Sequence, residues 1–200
     1  MATQTQPPST GTRLSPYRFT VRQFEKMIDA GVFPEGHNVE LLAGVLVPMT
    51  TNEPHVIAVM VLANWLRALL PDGYYLREEK PARAGRSWRP EPDIAIVRGY
   101  LRDNTRRTPD IKQMPILIEV SDSSYDLDRS WKWRRYAASK VPVYGILDLN
   151  NRRLEVFTNP TGKGRRAQYE LVTTYQKDDE APIILDGNEI GRLRVKDVLP

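Results

Sequence analysis

The sequence predicts an α/β domain, and three observations predict it. Ile94-Ala95-Ile96-Val97 and Pro115-Ile116-Leu117-Ile118 are short, uninterrupted apolar runs of the kind found in strands buried on both faces. Between the outer strands lie segments whose apolar residues recur every three or four positions, the mark of amphipathic helices. Beyond residue 143 the chain turns to alternating strands separated by Asn, Gly and Asp turns, which adds C-terminal strands to the same domain.

Residues 1–16 form a polar, Pro- and Thr-rich leader expected to be disordered, and 17–200 the folded domain. The first helix is expected over Thr20–Ala30. Thr20 and Gln23 make a capping-box pair, Phe19 and Phe24 staple the entry, and Gly31 stops it. Phe24, Met27 and Ile28 are expected to face the core. Val39–Met49 reads as two short strands about Ala43-Gly44. Asn52–Leu70 is the clearest helix, with Pro54 in its first turn and a stripe of Val56, Val59, Met60, Ala63, Leu66 and Leu70.

A further strand spans Tyr74–Glu79, and a basic Gly-containing turn, Lys80–Trp88, leads into the Ile94 strand. Gly99–Met114 is an Arg-rich connection. A helix is expected over about Asp126–Ser139, then strands at Val143–Leu149 and Arg153–Thr158 joined by Asn150-Asn151. A strand at Tyr169–Tyr175, a hairpin around Asp186-Gly187 and a packed tail at Val195–Leu199 finish the chain.

The chemistry gathers at Pro115–Tyr136. The apolar strand there delivers a carboxylate, Glu119, which is costly to bury unless a cation, a metal or several donors compensate it. Across a polar turn, the following helix sets Asp128, Lys132 and Tyr136 four residues apart, on one stripe. Upstream, Asp93 opens the Ile94 strand. If these two strands pair antiparallel, the start of one lies beside the end of the other, and Asp93 and Glu119 converge. Converging carboxylates with no adjacent Arg suit an oxygen-ligated divalent ion such as magnesium or manganese. Asp128–Lys132 has the spacing of a surface salt bridge as well as of an active-site pair. Glu40 fits a solvated strand edge as well as a site acid. A histidine such as His55, at the start of a helix, is more often a local cap than a catalyst.

Pro92-Asp93, then Glu119-Val120-Ser121, then Asp128, Lys132 and Tyr136, resemble the PD-(D/E)XK nuclease superfamily, and more closely its Uma-type branch of restriction endonucleases. The likeness extends to Val39–Leu46, to His55 and through Val141–Tyr144 to Asp148, covering roughly residues 17–160. One departure stands out: Ser121 occupies the position where the superfamily carries its lysine. In the Uma-type branch that lysine lies on the following helix, which Lys132 matches. The resemblance implies a restriction-endonuclease core, a mixed β-sheet flanked by helices. It implies Asp93 and Glu119 as metal ligands, the Val120 carbonyl as a further ligand, Lys132 as the group acting on the attacking water or developing charge, and Glu40 as the upstream acid.

The expected function is therefore a divalent-metal-dependent endonuclease hydrolysing DNA. The alternatives are a non-catalytic DNA-binding or assembly module on the same fold, and a metal-dependent hydrolase of another phosphate ester. Arginines bracketing the Asp93 strand (Arg83, Arg86, Arg89, Arg98, Arg102, Arg106 and Arg107) would draw a phosphate backbone. Net charge is only +4, so its distribution matters more than its size. With no cysteine, thiolate metal sites and disulfides are excluded. No signal-peptide pattern and no apolar run of about 20 residues is present, so a cytoplasmic, non-membrane protein is expected. Cutting both strands favours a homodimer. Lys132→Met keeps the length and apolar stem of the side chain and removes only the charge, so folding is expected to be nearly unaffected.

Overall fold

The computed structural model describes residues 15–34, 38–49, 52–105 and 107–200; the leader expected over 1–16 thus lies outside it but for its last two residues, as does Arg106. Helix α1 (Val21–Asp29) starts on the expected capping box, with Gln23 N donating to Thr20 Oγ1. Strands β1 (Asn38–Leu42) and β2 (Val45–Met49) form an antiparallel pair apart from the main sheet. Helix α2 (Glu53–Leu69) follows, then β3 (Tyr74–Glu78), β4 (Ile94–Arg98) and β5 (Ile116–Ser121). A helical stretch comes next in three pieces: α3 (Tyr125–Leu127), a π-turn (Asp128–Lys132) and α4 (Trp133–Ala138). Strands β6 (Val143–Asp148), β7 (Arg153–Thr161), β8 (Gln168–Gln176), β9 (Glu180–Leu185) and β10 (Asn188–Arg194) complete the chain.

Six strands make one mixed sheet in the order β3-β4-β5-β6-β7-β8, with β5 and β6 parallel and every other pair antiparallel. This is the expected mixed sheet flanked by helices. The parallel β5–β6 pair needs a crossover, and the α3–α4 stretch supplies it. Side chains alternate between the two faces as the pleat requires. Ile94, Ile96, Ile116, Ile118 and Val120 pack beneath α2 and the β9–β10 hairpin, with Val195 and Val198 of the tail. Ala95, Val97, Leu117, Tyr144 and Phe157 face the other way, against Tyr136 and Ala137 of α4. Glu119 shares the parity of Leu117, so the pleat sends it to the α4 face.

Two packing expectations fail. The buried stripe of α2 is His55, Ala58, Val59, Leu62, Ala63 and Leu66, while Val56 and Met60 are exposed. Nearly every position from Val56 to Leu62 is apolar, so periodicity there selects no face. In α1 only Phe24 is buried; Ile28 is exposed, because the helix touches the domain along its N-terminal half. The Asn150-Asn151 turn is also wider than two residues: Asp148 pairs with Arg153, and Arg152 takes a positive φ of 52°.

Candidate active site

The antiparallel register of β4 and β5 pairs Ile94 with Ile118, and one step further sets Asp93 opposite Glu119. Both line a cleft of about 430 Å³ with Glu40, Lys132, His55, Glu79, Glu91, Asn52 and Ser124. All four side chains expected in the site, Glu40, Asp93, Glu119 and Lys132, are therefore brought to one cavity. They divide into two groups within it.

The first group centres on Lys132, whose side chain is 1% exposed. Its Nζ lies 3.2 Å from Glu119 Oε1, 3.2 Å from Asp128 Oδ1 and 3.6 Å from Glu40 Oε2. The π-turn places Asp128 and Lys132 inward together, so the pair is fully buried; the surface salt bridge is excluded. Such turns occur often at functional sites. Each acid is held from its other side. Tyr136 donates to Glu119 Oε1 at 2.6 Å, Ser121 and Ser124 donate to Asp128 Oδ2 at 2.7 and 2.5 Å, and Glu91 N donates to Glu40 Oε1 at 2.7 Å. Ser121 thus fixes the acid that holds Lys132.

Three carboxylates about one ammonium leave an excess of negative charge in a desolvated place. Burial is the largest influence on Glu119 and drives its carboxyl well above the ordinary range, against the pull of Lys132. Burial raises Glu40 in the same way. For Lys132, burial acts downward, but Glu119, Asp128 and Glu40 outweigh it and hold the ammonium charged well above its ordinary value. Tyr136 is pushed well up by burial and by Glu119, so it remains a donor.

The second group is His55, Glu79 and Asp93, whose nitrogen and oxygen atoms lie within 4.8 Å of one another. Asn52 caps α2 by accepting from His55 N at 3.1 Å, which aims the imidazole back at the strand ends. His55 Nδ1 lies 2.9 Å from the Val120 carbonyl. A carbonyl only accepts, so Nδ1 carries the proton there. The Val120 carbonyl, expected to face a cation, orients an imidazole, and Nε2 is turned toward Asp93 Oδ1, 3.3 Å away, and Glu79 Oε1, 3.8 Å away. Nε2 is buried and has no aligned hydrogen bond among the described residues. Burial lowers the affinity of His55 for a proton, but Asp93 and the Val120 carbonyl more than reverse this, raising its pKa. Asp93 is held by Val120 N, which donates to Oδ2 at 2.6 Å.

Glu79 is the site residue that sequence reasoning passes over, as the end of a strand. It adopts φ 46°, a left-handed conformation that a residue with a Cβ enters at a cost of about 1–2 kcal/mol. Its N–H donates to the Asp93 carbonyl at 3.1 Å, so this strain is tied to the Asp93 backbone. Two textual signals mark His55, its place at the helix start and its part in the family likeness; for Glu79 there is none.

Among solved structures, this fold is similar to a "putative nuclease belonging to DUF820" from Anabaena variabilis. The TM-score is 0.68 at 12% identity, over 90% of this chain and 97% of that one, a likeness of fold. Among curated proteins, none matches the chain significantly. A family model described as "Putative restriction endonuclease" matches residues 21–190, and the chain belongs to that family, Uma2.

Proposed function

We propose that the chain is a divalent-metal-dependent endonuclease acting on DNA, and that His55, Glu79 and Asp93 hold the ion beside Glu119. The observation that carries this is His55 Nε2: a buried imidazole nitrogen, its tautomer set by the Val120 carbonyl, faces two carboxylates with no aligned hydrogen bond among the described residues. A metal-binding histidine is characteristically oriented this way, its second nitrogen donating to a backbone carbonyl. One imidazole with carboxylates fits manganese or magnesium, and the nitrogen favours manganese of the two. The surplus of negative charge in the cleft supports the same reading, because a bound cation relieves it.

When bound, the ion supplies a Lewis acid for a phosphate oxygen and a water of lowered pKa. The chain's own groups do the rest. Glu119 Oε1 is fixed by Lys132 and Tyr136, leaving Oε2 without a hydrogen bond among the described residues and able to orient a water or accept its proton. Lys132 holds Glu119 and presents positive charge where negative charge grows. Glu40 steadies Lys132 from the opposite side. The arginines flanking β4 support DNA as the substrate by drawing its phosphates.

One observation favours the rival, a binding or assembly module: Lys132 is already saturated with carboxylates, as an inert structural ion pair would be. Incubating supercoiled plasmid with the protein, with magnesium, manganese or EDTA, separates the two. Nicking that requires the divalent ion and disappears in Asp93→Ala is expected. DNA binding without cleavage under every condition would make the module the better account.

A further inference from the structure

A second cavity, of about 300 Å³, shares no lining residue with the cleft, and its lining includes Ala84, Arg86, Ser87, Trp88, Arg135 and Ser139. Tyr136, which donates to Glu119, packs against Trp88 with ring centroids 5.3 Å apart, so two aromatic rings separate the two sites. The lining is unlike that of the cleft. It contains two guanidinium groups and two hydroxyls, and no acidic residue.

Arg135 lies against two indoles, 5.6 Å from the Trp88 ring and 5.1 Å from that of Trp131. Those faces fix the plane of the guanidinium, but they satisfy none of its in-plane N–H groups. Its Nε is buried without a hydrogen-bond partner among the described residues. The Trp88 Nε1 is likewise buried and without an acceptor, in a residue only 3% exposed. A buried N–H left unpaired is costly, so two in residues that line one cavity call for an acceptor.

The wall is also held still. Val21 N donates to the Arg86 carbonyl at 2.7 Å and Gly44 N to the Ser87 carbonyl at 2.7 Å. Gly44 permits this because it takes φ +79° against Phe19 and Arg18, where a Cβ would collide. The Arg86–Trp88 segment is thus clamped from α1 and from the β1–β2 turn, and the donors do not depend on a loose loop to meet a ligand.

We infer that this cavity binds a phosphate-type oxyanion, with Trp88 Nε1, Arg135 Nε, the Arg86 guanidinium and the Ser87 and Ser139 hydroxyls as donors. An anion fits because every polar side chain lining the cavity can donate and, among the described residues, no carboxylate pairs with Arg86 or Arg135; a cation or an apolar ligand would leave both N–H groups unpaired. The chemistry is shared by a backbone phosphate of DNA passing from the cleft and by a free phosphate. The inference does not depend on the cleft being catalytic.

The test measures thermal unfolding of the full chain in EDTA, titrating inorganic phosphate at constant ionic strength against chloride. The acidic cleft without its cation repels phosphate, so it does not confuse the readout. A saturable rise in Tm is expected for wild type, reduced in Arg86→Gln and lost in the double variant Arg86→Gln, Trp88→Phe. Arg86 is exposed, so its single variant folds even if the double does not. No rise in wild type, or an equal rise in Arg86→Gln, would overturn the site. Anisotropy of a labelled DNA duplex, again in EDTA, then names the source. If the anion is a DNA phosphate, Arg86→Gln binds more weakly and its salt slope falls by about one unit. Unchanged duplex binding beside a reduced phosphate response assigns the site to a free anion.

Discussion

The two ends of the cleft contain the same kinds of groups, carboxylates and one basic side chain, and are in opposite states. At the Lys132 end, the ammonium meets three carboxylates, and Glu119 and Asp128 are tied further by Tyr136, Ser121 and Ser124. At the His55 end, the imidazole nitrogen faces Asp93 and Glu79 with no aligned hydrogen bond among the described residues, as do Glu40 Oε2 and Asp128 Oδ1 at the other end, but here Glu79 is half open to solvent. A closed ionic cluster is where a structure stores stability and orientation. An open one, built at the cost of a strained backbone at Glu79, is where a ligand completes the structure. The difference underlies the proposed roles, in which the Lys132 end positions and the His55 end receives the ion.

That comparison can be broken most forcefully at Lys132. The reading that Lys132→Met would leave folding nearly unaffected is overturned by its burial among three carboxylates. Removing one partner of a buried ion cluster strands the others, at about 3–5 kcal/mol. Urea denaturation should show a loss of that size, and nicking should vanish. A variant as stable as wild type would mean that Lys132 is not the keystone of the closed end.

His55→Gln comes next. It should fold with little loss but lose most of the divalent-dependent rise in Tm, since an ion stabilises only in proportion to its affinity for the folded state. Glu40→Gln should keep most of that rise. A reversed order would move the ion to the Lys132 end.

Tyr136→Phe removes the single hydroxyl that fixes Glu119 Oε1, and should cost about 1–2 kcal/mol. Its cleavage should fall in kcat, with the metal-dependent Tm rise retained; loss of that rise instead would make Glu119 a main ligand.

The smallest effect lies outside the cleft, as a control on both ends. Asp186 joins the β9–β10 hairpin to the sheet through Arg98 and Tyr74, and Arg98 holds its carboxyl below the ordinary 3.8. A carboxyl with a depressed pKa stabilises above its unfolded value and loses that contribution as pH falls through its folded one. The Tm difference between wild type and Asp186→Asn should therefore be constant above about pH 5 and fade below about pH 4, while metal-dependent stabilisation at neutral pH is unchanged. A difference that persisted at lower pH would remove Asp186 from acid sensitivity.

Features that are local or repeat at short range are legible in the sequence. Apolar runs gave β4 and β5, the capping box gave the start of α1, and four-residue spacing put Asp128, Lys132 and Tyr136 together. Start-to-end pairing of neighbouring strands brought Asp93 beside Glu119, because an antiparallel register leaves little choice. Long-range packing selects the face that α2 buries, since a helix apolar at every position from Val56 to Leu62 has no preferred side in the sequence. That choice set His55 over the strand ends, where it meets Glu79 and Asp93 at separations of 24 and 38 residues. It also turned the Asp128–Lys132 pair inward through a π-turn with no textual mark. Burial decided the rest: the same charges exposed to water would be a weak surface pair, and enclosed with too few partners they carry the charge surplus on which the proposed cation site rests.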